Sequence, residues 1–255
     1  MRENSVKHAL KAGQTQIGCG FTQLRSVEAI RAIAAAGFNW IFIDAEHGPF
    51  DHSMVQDLTK AAAHAGLTPL VRVADLQYAL VARALDCNAQ GIVFPRVESP
   101  ELLAKAISWT KFPPDGVRGF GLGPWFFDYE KLSIADGAKF LNDNVMVVLQ
   151  IETQTAVDRR EELLAVPGID AVMIGPVDLS ISLGCPGDFE NPKMIDVMEK
   201  VRDTAIKHGI APGAHVRNIA LAQFWKKRGM RFVGCGNETA FLLEKATEIA
   251  AALQS

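Results

Sequence analysis

The feature that most constrains this chain is an alternation that runs almost its whole length. Short apolar runs rich in β-formers are separated by stretches with helical periodicity. Eight runs read as strands: Gln16–Phe21, Trp40–Asp44, 69–73, 91–95, Met146–Ile151, 171–175, 211–214 and 231–235. Helical patterns fill 25–36, 53–65, 77–87, 153–165, 192–208, 218–228 and 238–253. One more runs from a Ser99 cap before Pro100 through Trp109. The strands are apolar on both faces, which calls for parallel pairing under a cover of helices.

A closed (β/α)8 barrel and an open doubly wound sheet both fit this alternation. The length, 255 residues, is that of one barrel. No G-x-G-x-x-G turn follows the first strand, which weakens a dinucleotide-binding sheet. With no internal repeat, low-complexity tract or linker, residues 1–255 read as a single domain. The one irregular stretch, 112–144, opens on Pro113-Pro114-Asp115-Gly116 and reads as a functional rim or lid.

Net charge is −3 and the basic residues are scattered, so no nucleic-acid-binding stripe is present. No apolar run reaches the length of a membrane span, and the start is polar, so the expectation is a cytoplasmic enzyme. Cys19, Cys87, Cys185 and Cys235 lie far apart and predict neither a zinc cluster nor a disulfide framework.

In a barrel the chemistry sits at the carboxyl ends of the strands. There this sequence places Asp44-Ala45-Glu46-His47, Arg72, Arg96, Gln150-Ile151-Glu152, Gly175-Pro176-Val177-Asp178, His215 and Asn237. Glu152 and Asp178, on neighbouring strands, would repel one another unless a hard cation lay between them. On position alone, each also serves as a helix-start carboxylate. Gln150 shares the face of Glu152. Asp44 could orient the His47 imidazole as a base, or both could be strand-end structure. Arg72 could grip a substrate oxygen, or pair with Asp44 or Glu46. His215 is a lesser candidate, and His8, His52, His64 and His208 read as helix-surface residues.

Several of these runs resemble the HpcH/HpaI family of class II pyruvate aldolases, whose D-x-E-H-x-P signature is matched by Asp44-Ala45-Glu46-His47-Gly48-Pro49. Pro69-Leu70-Val71-Arg72, Phe112-Pro113-Pro114 with Gly116-Val117-Arg118-Gly119, Gln150-Ile151-Glu152 and Ile174-Gly175-Pro176-Val177-Asp178-Leu179-Ser180 follow in the family's order. The resemblance implies a TIM barrel assembled as a trimer or hexamer, with its C-terminal helix exchanged between subunits. It implies Mg2+, Mn2+ or Co2+ on Glu152 and Asp178. Arg72 would hold the keto oxygen, and Gln150, Gly175, Pro176, Val177 and Asp178 would surround the 2-oxo acid. His47, oriented by Asp44, would move the proton, and Asp86 would reach the neighbouring subunit's site. The implied reaction is reversible cleavage of a 4-hydroxy-2-oxo acid to pyruvate, or hydroxypyruvate, and an aldehyde. An oxaloacetate decarboxylase or macrophomate-synthase-like enzyme would use the same enolate, and a barrel that only binds metabolites is the remoter alternative. No lysine falls at a strand end, which favours a metal over an imine.

The sequence departs from the family twice. Gly20 stands where an I-G-x-W pattern has tryptophan, and 120–127 is apolar and glycine-rich. Both predict an acceptor aldehyde larger or less charged than sugar-acid semialdehydes.

Overall fold

The computed structural model describes residues 2–254. Its eight strands are β1 (Gln16–Phe21), β2 (Trp40–Asp44), β3 (Thr68–Arg72), β4 (Gly91–Phe94), β5 (Met146–Ile151), β6 (Ala171–Ile174), β7 (Gly213–Val216) and β8 (Phe232–Asn237). All pair in parallel in chain order, and β8 returns to β1, so the sheet closes. The closed barrel is the alternative the structure selects, as a (β/α)8 TIM barrel. All eight expected strands form, with ends shifted by up to two residues and β8 running on to Asn237.

Period-two alternation builds two apolar layers. Ile41, Ile43, Val71, Val147 and Leu149 point outward into the core shared with the helices. Trp40, Phe42, Leu70, Met146, Val148, Met173 and Phe232 point inward and fill the barrel. The same inward rows become polar one step further up. Trp40 and Phe42 are followed by Asp44, Leu70 by Arg72, and Met146 and Val148 by Gln150. The barrel is therefore a packed plug beneath a polar mouth.

Glycine makes room for the largest inward groups. A Cβ on Gly234 would lie 2.5 Å from Cδ2 of His215 and 3.0 Å from Cη2 of Trp40. Trp40 itself stacks on Phe232 with centroids 4.1 Å apart.

Three helices were not legible in the sequence pattern. Ser5–Lys11 closes the amino end of the barrel with Val6 and Leu10 and is capped by Asn4, whose side chain accepts from the Lys7 N–H. Pro176–Ser182 follows β6 directly. Ile134–Asn144 lies inside the stretch read as irregular, preceded by a 3-10 turn at Pro124–Phe127. The expected helix at 153–165 is split at Arg159 into Gln154–Asp158 and Arg160–Leu164. Ser99 does cap Pro100–Ser108, its hydroxyl accepting from the Leu102 N–H.

Candidate active site

Asp44 and Arg72 end neighbouring strands in direct register, so their side chains rise from the barrel side by side. The guanidinium meets the carboxylate as a fork, Nε to Oδ1 at 3.0 Å and Nη2 to Oδ2 at 2.7 Å. Nη1 lies 3.4 Å from Oε2 of Glu46, and the Arg72 Cζ stands 5.5 Å from the centre of the Phe42 ring. Burial opposes the Asp44 charge, yet the Arg72 bonds, together with the N–H groups of His47 and Glu46, hold its carboxyl below the usual range. Asp44 in turn keeps the buried Arg72 guanidinium above its ordinary value.

This geometry corrects one expectation. Asp44 does not orient the His47 imidazole; it accepts only from the His47 backbone N–H, at 3.2 Å. Alternation turns Asp44 inward toward Arg72, whereas His47 lies beyond the strand end with its side chain 64% exposed. The carboxylate nearest the imidazole is Glu46, with Oε1 3.7 Å from Nε2. Burial pushes the Glu46 carboxyl up and the Asp44 charge adds to this, while Arg72 and His47 oppose it.

Across the mouth, Glu152 is buried. Its Oε1 accepts from the Arg96 N–H at 2.9 Å, and Oε2 accepts from the Gln150 amide. Burial raises its carboxyl, Gln150 and the Arg96 N–H oppose that, and the charges of Asp178 and Glu46 raise it further. A Cβ on Gly175 would come within 2.9 Å of Glu152 Oε2 and 3.1 Å of Gln150 Nε2, so only glycine leaves this corner open. Asp178 sits in the first turn of Pro176–Ser182, exposed to the cavity.

Asp44, His47, Arg72, Gln150, Gly175, Pro176, Val177 and Asp178 line one cavity of about 580 Å3. Asp86 does not. It closes the helix Tyr78–Asp86, which runs back to the amino end of the barrel, and accepts from Arg118 Nη2 at 2.7 Å. The stretch 112–144 also stays away from this mouth. Arg118 lies over Phe112 at 4.7 Å, Phe120 packs on Phe112, and a Cβ on Gly137 would lie 2.9 Å from Phe127. Within one chain the apolar loop thus shapes no part of the pocket, contrary to its expected effect on the acceptor. At Gly20 the aromatic beside the glycine is Phe42. A Cβ there would lie 3.2 Å from Phe42 Cζ, while Phe21 faces outward and stacks on Phe50.

The donor chemistry fits a hard divalent cation. Buried Oε1 of Gln150 has no hydrogen-bond partner and Oε2 of Glu46 has only the Arg72 ion pair; burial, and after it the charges of Asp178 and Glu46, raises the Glu152 carboxyl where a cation would relieve it. Among the described residues no three His, Cys, Asp or Glu side chains form a cage. A cation here would rest on two carboxylates and fill its shell with water and substrate, a pattern common for Mg2+.

His215, a lesser candidate from the sequence, is a fixed part of the site. It rises from β7 edge-on to Phe42, with ring centroids 5.0 Å apart, and its Nε2 is 2.9 Å from the Gly236 carbonyl. Burial pushes the imidazole down to about 4. Thr22, Arg217 and Asn237 also line the cavity. Arg217 and Thr22 were not singled out in the sequence; each lies one residue past the end of a strand.

A closed parallel barrel whose acids, cations and imidazoles converge at the carboxyl ends of its strands defines an enzyme of the TIM-barrel class. The comparisons make this narrower. Residues 16–244 match the model described as HpcH/HpaI aldolase/citrate lyase, and the chain belongs to that family of carbon–carbon lyases. The 4-hydroxy-2-oxo-heptane-1,7-dioate aldolase of Escherichia coli is 34% identical, over 98% of this chain and 94% of its own length. The crystal structure of an HpcH/HpaI aldolase from Desulfitobacterium hafniense superposes with a TM-score of 0.92 at 31% identity, covering 98% of this chain and 96% of that one. Macrophomate synthase superposes at 0.82 and 24% identity over 98% of this chain and 89% of its own, a likeness of fold alone.

Proposed function

We propose that this protein is a divalent-metal-dependent aldolase that reversibly cleaves a 4-hydroxy-2-oxo acid to pyruvate, or hydroxypyruvate, and an aldehyde. The observation that carries this reading is one cavity shared by Asp178, Gln150, Arg72 and His47, with the buried Glu152 carboxylate against Gln150 and Gly175 and the buried Gln150 Oε1 without a hydrogen-bond partner. A cation held by Glu152 and Asp178 would supply Lewis-acid charge to the carboxylate and keto oxygens of the substrate.

The remaining work falls to the chain's own groups. The Val177 and Asp178 N–H groups take the substrate carboxylate, and Gln150 holds its place beside the keto group. Arg72, aimed by Asp44 and Glu46, presents positive charge where negative charge grows on the keto oxygen. His47, beside Glu46, takes the proton of the C4 hydroxyl. The C3–C4 bond then breaks, the aldehyde departs, and the electron pair stays on pyruvate as its enolate until C3 takes a proton.

The assembly belongs to the same reading. The helix Glu238–Gln254 buries only Glu238, while Leu242, Leu243, Ile249 and Leu253 stand at least half exposed. Such a face suits exchange with a second copy in a trimer or hexamer. Asp86, half-exposed at the far end from its own cavity and held by Arg118, would approach a neighbour's. Light scattering after size exclusion would count against this part if it found a monomer.

The central test is pyruvate release from 4-hydroxy-2-oxo acids, with EDTA and with Mn2+ or Mg2+ added back. Activity that survives complete metal removal refutes the assignment.

A further inference from the structure

Away from the barrel mouth, a cavity of about 70 Å3 lies between the stretch 112–144, the last turn of the helix Tyr78–Asp86 and Arg2. Among the described residues it shares no lining side chain with the cavity at the mouth. Its walls are mainly apolar, with Leu85, Phe126, Phe140 and Leu141 among them.

Two polar atoms on these walls have nothing to bond. Arg118 is buried and gives Nη2 to Asp86 at 2.7 Å, but its buried Nε–H has no hydrogen-bond partner among the described residues. The Oδ1 atom of Asn88, two residues beyond Asp86, is likewise buried and unpaired. One can only donate and the other can only accept, and leaving either dry is costly. Buried polar atoms of this kind normally meet a protein group, a water or a ligand.

The charges on the lining already have partners. Asp86 takes Arg118, and Asp128 lies 3.9 Å from both Arg2 Nε and His64 Nε2. The cavity therefore offers a donor, an acceptor and an apolar floor, with no net charge to satisfy. Its volume is several times the ~10–15 Å3 that one water needs, and apolar walls hold water poorly.

We infer that this cavity is a separate binding site, for a small neutral molecule with a carboxamide or alcohol head and a short apolar tail. The head accepts from Arg118 Nε–H and donates to Asn88 Oδ1, and the tail lies on the phenyl and leucine walls. Such an occupant ties the helix Tyr78–Asp86 to the stretch 112–144, so its binding stabilises the folded chain. The inference stands apart from the aldolase reading, because no residue of the mouth takes part in it.

The test titrates propionamide, 1-propanol and propionate into the full chain, read by saturation-transfer NMR and thermal melts, with and without pyruvate and Mn2+. Both neutral probes should bind and raise Tm, and pyruvate should leave their affinity unchanged. Asn88 has a φ of +72°, which glycine adopts freely, so Asn88→Gly removes the acceptor without straining the backbone. Arg118→Lys removes the Nε–H and keeps a cation for Asp86. Each variant is expected to weaken propionamide about three- to tenfold, and melts without ligand report whether it is folded. Failure of both neutral probes to bind overturns the inference, as does an affinity within about twofold of wild type in a folded Asn88→Gly. Displacement by pyruvate also overturns it, since the probe would then sit at the mouth. Propionate binding more tightly than propionamide would make this an anion site instead, and crystals soaked in propionamide that hold only water in the cavity would leave no site at all.

Discussion

The two sides of the barrel mouth solve the problem of buried charge in opposite ways. On β2, β3 and β5 the charged groups are packed against each other: Asp44 on Arg72, Arg72 on Glu46, and Glu152 on Gln150 and the Arg96 N–H. On the β7 and β8 side the His215 imidazole is kept neutral, the buried Glu238 carboxylate just past β8 is taken up by the N–H groups of Thr22, Gln23 and Leu24, and Arg217 stands open with no ion pair among the described residues. The first side is a preorganised field, in which groups are already paid for in hydrogen bonds before substrate arrives. The second is a surface left for a ligand to complete. On the proposed reading the difference teaches where the reaction's demands are constant and where they vary: a keto acid and its enolate would meet the first side, an aldehyde the second.

Removing the carboxylate centre should break the comparison most severely. Glu152→Ala is expected to abolish both cleavage and pyruvate proton exchange, because it would take away one of the two carboxylates proposed to hold the cation; Mn2+ titration by calorimetry should show binding lost in parallel. His47→Ala should leave Mn2+ binding in place and lower kcat by ~10²–10⁴-fold, the range of a general acid–base group. If the variant retains wild-type kcat, the proton is moved elsewhere, and Glu46 becomes the group to examine.

The neutral side is probed by pH and by packing. His215 has a folded value of about 4 against an ordinary 6.5, so the unfolded chain binds the extra proton between those limits. Its contribution therefore destabilises the fold progressively as pH drops from 6.5 toward 4, by up to about 3 kcal/mol. Glu46 and Glu152 act in the opposite sense, since carboxyls raised by burial favour the folded state as they take up protons. Thermal melts across this window should show a shallower acid-side loss in His215→Leu than in wild type. An unchanged slope would mean that the imidazole is not held neutral. Gly234→Ala should cost about 1–3 kcal/mol by driving a methyl into the His215 ring and the Trp40 indole. A melt within a degree of wild type would show that this corner is looser than the contacts imply.

Most of the barrel was legible because its rule is local. A run such as Met146–Ile151 is apolar on both faces whatever surrounds it, and its period of two carries Gln150 and then Glu152 to the mouth. The helices that escaped notice are those whose reasons are tertiary. Ser5–Lys11 has only Val6 and Leu10 to bury, and it is needed because the barrel floor needs a cover. Ile134–Asn144 has a polar sequence and buries little of itself.

By itself, then, the sequence determined the alternation, the count of strands and the inventory of acids, arginines and histidines at their carboxyl ends, since spacing alone decides which residues share a face. Only the tertiary structure decided the pairing. Register across β2 and β3 gave Asp44 to Arg72 and left His47 to Glu46, a choice fixed by which strands are neighbours and how far each is shifted. Closure of β8 onto β1 brought Thr22 beside Asn237, around a cavity that Arg217 lines with no ion pair among the described residues. No spacing along the chain encodes that last fact, because an unpaired charge is defined by every residue that does not reach it.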